Sequence, residues 1–84
     1  LKALNLVGFC YWHRGMLDLA EKTFQSAANE LPTMDATKKE IVYNLGAVYE
    51  QMGKNDQAIE QYKQIYEVDM SYRDVAAKVE ASYG

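Results

Sequence analysis

The chain is predicted to fold as an all-α solenoid of antiparallel helix pairs, with about five helices. Three features of the sequence point there. The pattern Leu4-x2-Val7-Gly8-x2-Tyr11, followed by Ala20-x3-Phe24-x2-Ala27, returns as Val42-x2-Leu45-Gly46-x2-Tyr49 and Ala58-x3-Tyr62-x2-Ile65, each matched pair standing 38 positions apart. Glycine and proline are sparse, at 5 and 1 residues, and helix formers fill the intervals. Between those breaks, apolar residues recur at helical spacing. A repeat of this length implies stacked supersecondary units, which bury their apolar faces on one another.

Helix one is expected over about Lys2–Arg14, with Leu4, Val7, Gly8 and Tyr11 on one face. Gly15 ends it, because glycine readily takes the left-handed conformation that closes a helix. Helix two is expected to start near Asp18, as a capping carboxylate, and to carry Leu19, Ala20, Phe24, Ala27 and Ala28 until Pro32 stops it. The following Thr33–Lys39 stretch holds neither glycine nor proline. With Asp35 as an N-cap, or Thr37 and Glu40 as a capping box, it reads as an extra helical turn before Ile41. Helix three then runs to Met52, Gly53 turns the chain, and helix four covers about Asp56 to Val68. Ser71 and Asp74 are the expected cap signature of helix five. There Tyr72, Val75, Ala76, Val79 and Tyr83 share a narrow arc, and Arg73, Asp74, Lys78 and Glu80 lie outside it.

Small residues set the expected helix approach. Gly8 with Ala20, and Gly46 with Ala58, are predicted to lie where paired helices come closest, since larger side chains would force them apart. Tyr11 with Phe24, and Tyr49 with Tyr62, supply aromatic mass around each contact. Cys10 is expected to pack in the core, as Val48 does in the second copy.

These dispersed positions, matching twice in one register, resemble the tetratricopeptide repeat. The resemblance covers about residues 1–72. It implies a right-handed superhelix with repeat one at 1–34, repeat two at 35–70 with an extended first helix, and a capping helix at 71–84. Departures are Leu4 and Val42 at the usual tryptophan, Met70 at the second proline, and Glu80 where a third repeat wants glycine. The second unit also starts about four residues late against the roughly 34-residue repeat of that family.

In that family the first helix of each repeat lines a groove that receives a peptide, so the resemblance implies a non-enzymatic protein-interaction scaffold. The implied groove face holds Lys2, Asn5, Leu6, Phe9, Trp12 and His13 from helix one. Glu40, Tyr43, Asn44, Ala47, Glu50 and Gln51 supply it from helix three. Phe9 and Trp12 are suited to anchoring a ligand, unless a neighbouring repeat or the extra helical turn covers them. Asn44 falls where the family often places an amide that both donates and accepts along a peptide backbone. Chaperone-binding members clamp a terminal carboxylate with lysine and asparagine. Here Asn5 and Phe9 stand in those places, and Glu40 and Glu50 would repel an acidic tail.

Composition narrows the classes. The chain has 84 residues, 49% hydrophobic, which suits one small folded domain rather than disorder. A net charge of −3 argues against nucleic acid as partner. No apolar run approaches the roughly 18 residues that span a bilayer. Cys10 and His13 are three apart, a metal-like pair, but each is the single residue of its kind, so neither metal nor other cofactor is expected. No nucleophile with an orienting base can be named. The partner is therefore expected to be a protein or peptide, with no membrane involved. Structural spacer in a longer array, or adaptor portion of a multidomain enzyme, is the alternative. The chain opens on Leu1 without a basic–apolar leader, so it is expected to be an excerpt; the compartment stays open, with the cytoplasm as working expectation. Two units and a cap fall short of about three stacked repeats. Either homodimerisation or cover from a neighbouring segment is therefore expected near Leu1 and Leu4.

Overall fold

The computed structural model describes residues 2–83, and side chains over 6–82. Among them lie five helices and no strand: α1 (Lys2–His13), α2 (Leu17–Asn29), α3 (Ala36–Gln51), α4 (Asn55–Tyr66) and α5 (Val75–Tyr83). Each packs on the next in chain order, α1 on α2, α2 on α3, α3 on α4 and α4 on α5. This serial contact makes an all-α helical repeat.

The two tight turns are copies of one another. Gly15 and Gly53 have φ of +76° and +78°, a region that costs an L side chain strain. Around each, the chain closes with a Schellman pair of hydrogen bonds. Gly15 N–H donates to Trp12 O at 3.0 Å and Met16 N–H to Tyr11 O at 2.9 Å. In the second turn Gly53 N–H donates to Glu50 O at 3.1 Å and Lys54 N–H to Tyr49 O at 2.9 Å. The same Met16 and Lys54 then precede α2 and α4 without a side-chain cap. The expected Asp18 cap is therefore corrected: Asp18 is already inside the first turn of α2, where its charge favours the helix dipole. The turn motif itself starts the helix and leaves no room for an earlier cap.

Of the two starts considered for α3, Asp35 is the N-cap, accepting from Lys38 N–H at 2.9 Å. The four residues 36–39 form a helical turn ahead of Glu40. Ser71, in contrast, does not cap α5. Its N–H and hydroxyl both donate to Asp69 Oδ1, at 3.2 and 2.8 Å, in a local turn. Together with Lys39 at 3.1 Å, these bonds hold the Asp69 carboxyl below its usual range. Arg73 then sits at φ 44°, which breaks helical continuity, so α5 begins at Val75.

The core runs along the stack, with Phe24, Ile41, Leu45, Val48, Tyr62, Ile65, Val75 and Val79 fully buried. Burying one such side chain is worth roughly 1.5–3 kcal/mol. The repeat glycines serve these rings. A Cβ on Gly8 would lie 2.5 Å from Phe24 Cε1, and one on Gly46 would lie 2.8 Å from Tyr62 Cε1. The close approach expected at Ala20 and Ala58 is thus made by an aromatic ring against the glycine backbone. Both alanines are buried alongside. Cys10 is corrected from core to exposed. Val48 is buried at the matching place because α2 runs beside α3, and no described helix stands there for α1.

Candidate functional site

Three rings and one amide make the site. Phe9, Trp12 and His13 share the C-terminal half of α1, one turn apart, and so project to a common side. The Phe9 and Trp12 rings lie 5.9 Å apart and 11° from parallel, and His13 stacks on Phe9 at 6.3 Å and 25°. Below them Phe24 meets Phe9 and Trp12 edge-on, at 5.9 and 6.3 Å. That arrangement satisfies the ring quadrupoles and fixes the patch to the core. The second hairpin contributes Gln51, whose Oε1 accepts from Trp12 Nε1–H at 2.9 Å. Phe9, Trp12, His13 and Gln51 line a surface pocket of about 440 Å³. No residue of the extra turn of α3 lines it.

The Trp12–Gln51 bond sets the polar character of the pocket. With the indole N–H spent, the site offers aromatic faces plus the remaining amide N–H donors of Gln51. Such a surface suits an apolar or aromatic side chain beside a carbonyl oxygen.

Other residues of the implied groove face are engaged elsewhere. Asn44 is only 5% exposed and has its own partner, so it does not present a free amide to a ligand. This is a correction, and its cause is the packing of α2 along α3. Tyr43, expected on the groove face, is half-buried and tethered. Its hydroxyl donates to Asp74 Oδ1, its ring packs on Tyr62 at 5.4 Å, and Arg73 covers it at 5.0 Å. Burial first, then the Asp74 bond, pushes the Tyr43 phenol up to about 12. Glu50 accepts from the Tyr62 hydroxyl at 2.7 Å and from Lys78 Nζ at 3.1 Å. Glu40 and Ala47 are half-buried, and Leu6 is 64% exposed. The side chains of Lys2, Asn5, Leu4 and Tyr83 lie outside the described residues.

Lys78 lies outside the apolar arc of α5, as the periodicity predicts, but it is not left to solvent. Instead it reaches Glu50 and lies 5.4 Å from the centre of the Tyr62 ring. With Asn55, Asp56, Ile59 and Ala81 it borders a second, larger surface depression of about 620 Å³. No sequence signal sets the rotation of α5 relative to α3, so this juxtaposition was not legible beforehand. Cys10 and His13 are both exposed, and no group of three or more His, Cys, Asp or Glu suited to a metal ion occurs among the described residues. No helix there is long and apolar enough to cross a membrane.

Paired helices stacked in series, with an aromatic cluster along α1, define a helical-repeat protein. Residues 40–71 match the family model of the tetratricopeptide repeat. No curated protein and no solved structure matches the chain significantly. Protein binding is the usual role of this family.

Proposed function

We propose that the chain binds a peptide or helix of a partner protein at the pocket of Phe9, Trp12, His13 and Gln51, without catalysis. We further infer that residues 1–34 are a diverged copy of the matched repeat, the pocket lying where the two copies meet. The observation that carries the reading is the Trp12–Gln51 hydrogen bond. It ties a large, partly exposed aromatic cluster of one hairpin to the other. Tryptophan and its aromatic neighbours are the residue types most enriched among binding anchors, and a side chain already held by core and amide loses little entropy on binding.

Trp12 is the single tryptophan, so its emission reports the pocket alone. Peptides selected from a random displayed library on the intact chain should shift that emission saturably. Trp12→Ala should weaken them by roughly 1–3 kcal/mol with helicity retained. Selected peptides that bind Trp12→Ala as tightly as the parent would place binding elsewhere. Failure to select any peptide would favour the spacer role.

A further inference from the structure

The pocket between α1 and α3 is walled by Phe9, Trp12, His13 and Gln51, among which there is no lysine, arginine, aspartate or glutamate. The carboxylate nearest in sequence, Glu50, is spent on the Tyr62 hydroxyl and on Lys78. A charged anchor would therefore lose water in the pocket without gaining an ion pair. Its hydrogen-bonding capacity is also lopsided. Gln51 Oε1 already accepts from the Trp12 indole at 2.9 Å, and the two Nε2–H donors of the same amide remain for a ligand. Phe9 and Trp12 add no acceptor, and His13, when neutral, adds one donor and one acceptor. A segment that binds here has to bring carbonyl oxygens and few N–H groups. A helix does not, because its carbonyls are spent within it. An ordinary extended chain brings an N–H with every carbonyl, and each N–H buried without an acceptor is costly.

We propose that the pocket takes a proline-rich segment of a partner protein in the polyproline II conformation. A proline ring packs against Phe9 and Trp12, and a carbonyl oxygen of the segment accepts from Gln51 Nε2–H. Proline meets each demand of the pocket: its side chain is uncharged and apolar, and its backbone has no N–H. Polyproline II leaves every carbonyl without an internal partner. Such a segment is already extended before it binds, so it loses little conformational freedom in an aromatic-lined site. The receiving rings are fixed as well, by Phe24 beneath them and by Gln51. The proposal rests on the pocket being the binding site, as proposed above, and narrows its ligand to one class.

The probes are blocked nonaproline and a blocked alanine–glutamine peptide of equal length, each titrated into the intact chain with Trp12 emission as the readout. Nonaproline should shift the emission saturably, and the alanine–glutamine peptide should bind about tenfold more weakly or worse. Gln51→Glu keeps an oxygen for the indole and removes both amide donors, so it should weaken nonaproline by about tenfold or more. Gln51 is exposed, so the fold should tolerate that change, checked by circular dichroism. Equal affinity of nonaproline for the parent and for Gln51→Glu overturns the proposal, as does equal binding of the two probes. No response to nonaproline, while library-selected peptides without proline bind in a Trp12-dependent way, overturns this ligand class and leaves the pocket as the binding site. No response to any peptide overturns both.

Discussion

Gly8 and Gly46 do a different job from Gly15 and Gly53, and substitution separates them. At the first pair a new Cβ collides with the side of a buried ring, at 2.5 and 2.8 Å. Gly8→Ala and Gly46→Ala should each cost about 1–3 kcal/mol through overpacking. Leucine there should cost more, and trimming the ring in Gly8→Ala/Phe24→Leu should recover part of the loss. At the second pair a Cβ meets nothing within 4 Å. The cost of Gly15→Ala is then about 1–2 kcal/mol from its left-handed backbone, and no ring substitution rescues it. Thermal melts of the single and double variants check this; equal rescue at both kinds of site would contradict it. The tyrosines predict an alkaline transition. Burial first, then a carboxylate partner, raises Tyr49 to about 12 and raises Tyr62 further still. The native phenols keep their protons above the usual value near 10, where the unfolded chain has lost them. Their contribution is thus complete below about pH 10 and is lost as pH rises toward 12. Urea melts between pH 9 and 12 should show falling stability, with a shallower fall in Tyr49→Phe. A slope unchanged by that substitution would contradict the assignment.

At the scale of elements, starts and stops follow local chemistry where a side chain commits the chain and tertiary packing where none does. Asp35 commits α3. Asp35→Ala should cost about 1 kcal/mol and unwind the turn at 36–39, seen as a small loss of ellipticity; full helicity would show the extra turn to be held by packing alone. Helices α1 to α4, their glycine turns and the Asp35 cap were legible because each leaves a periodic or capping signature in the sequence. The start of α5 was not. Ser71 looks like a cap, but Asp69 lies two residues before it and takes both its donors, and Arg73 turns left-handed. Within the candidate site, the common face of Phe9, Trp12, His13 and Gln51 was legible from periodicity. The burial of Asn44 and the tethering of Tyr43 were not, because they depend on how closely α2 and the approach to α5 lie against α3. The sequence also left Cys10 looking like Val48, since identical register says nothing of what stands opposite. Two fully buried valines anchor α5 on α4. Val79→Asp should therefore release α5, detected as rapid proteolysis after residue 70 with α1–α3 still protected. Loss of all structure together would instead show one cooperative unit.

At the scale of the whole molecule, a linear stack gives each helix only its neighbours, so function has to be built on faces that stacking leaves open. One such place stands out: the aromatic pocket, bridged from α1 to α3 by Trp12 and Gln51. The central claim concerns this pocket. The single indole N–H of Trp12 gives one resolved signal in a proton–nitrogen correlation spectrum. Titrating a library-selected peptide into the labelled chain should move that signal, along with the Gln51 side-chain amide and the His13 ring, in a saturable, concerted way. Shifts confined to the depression around Lys78 and Asp56, with the Trp12 indole unmoved at saturation, would contradict the pocket as the binding site.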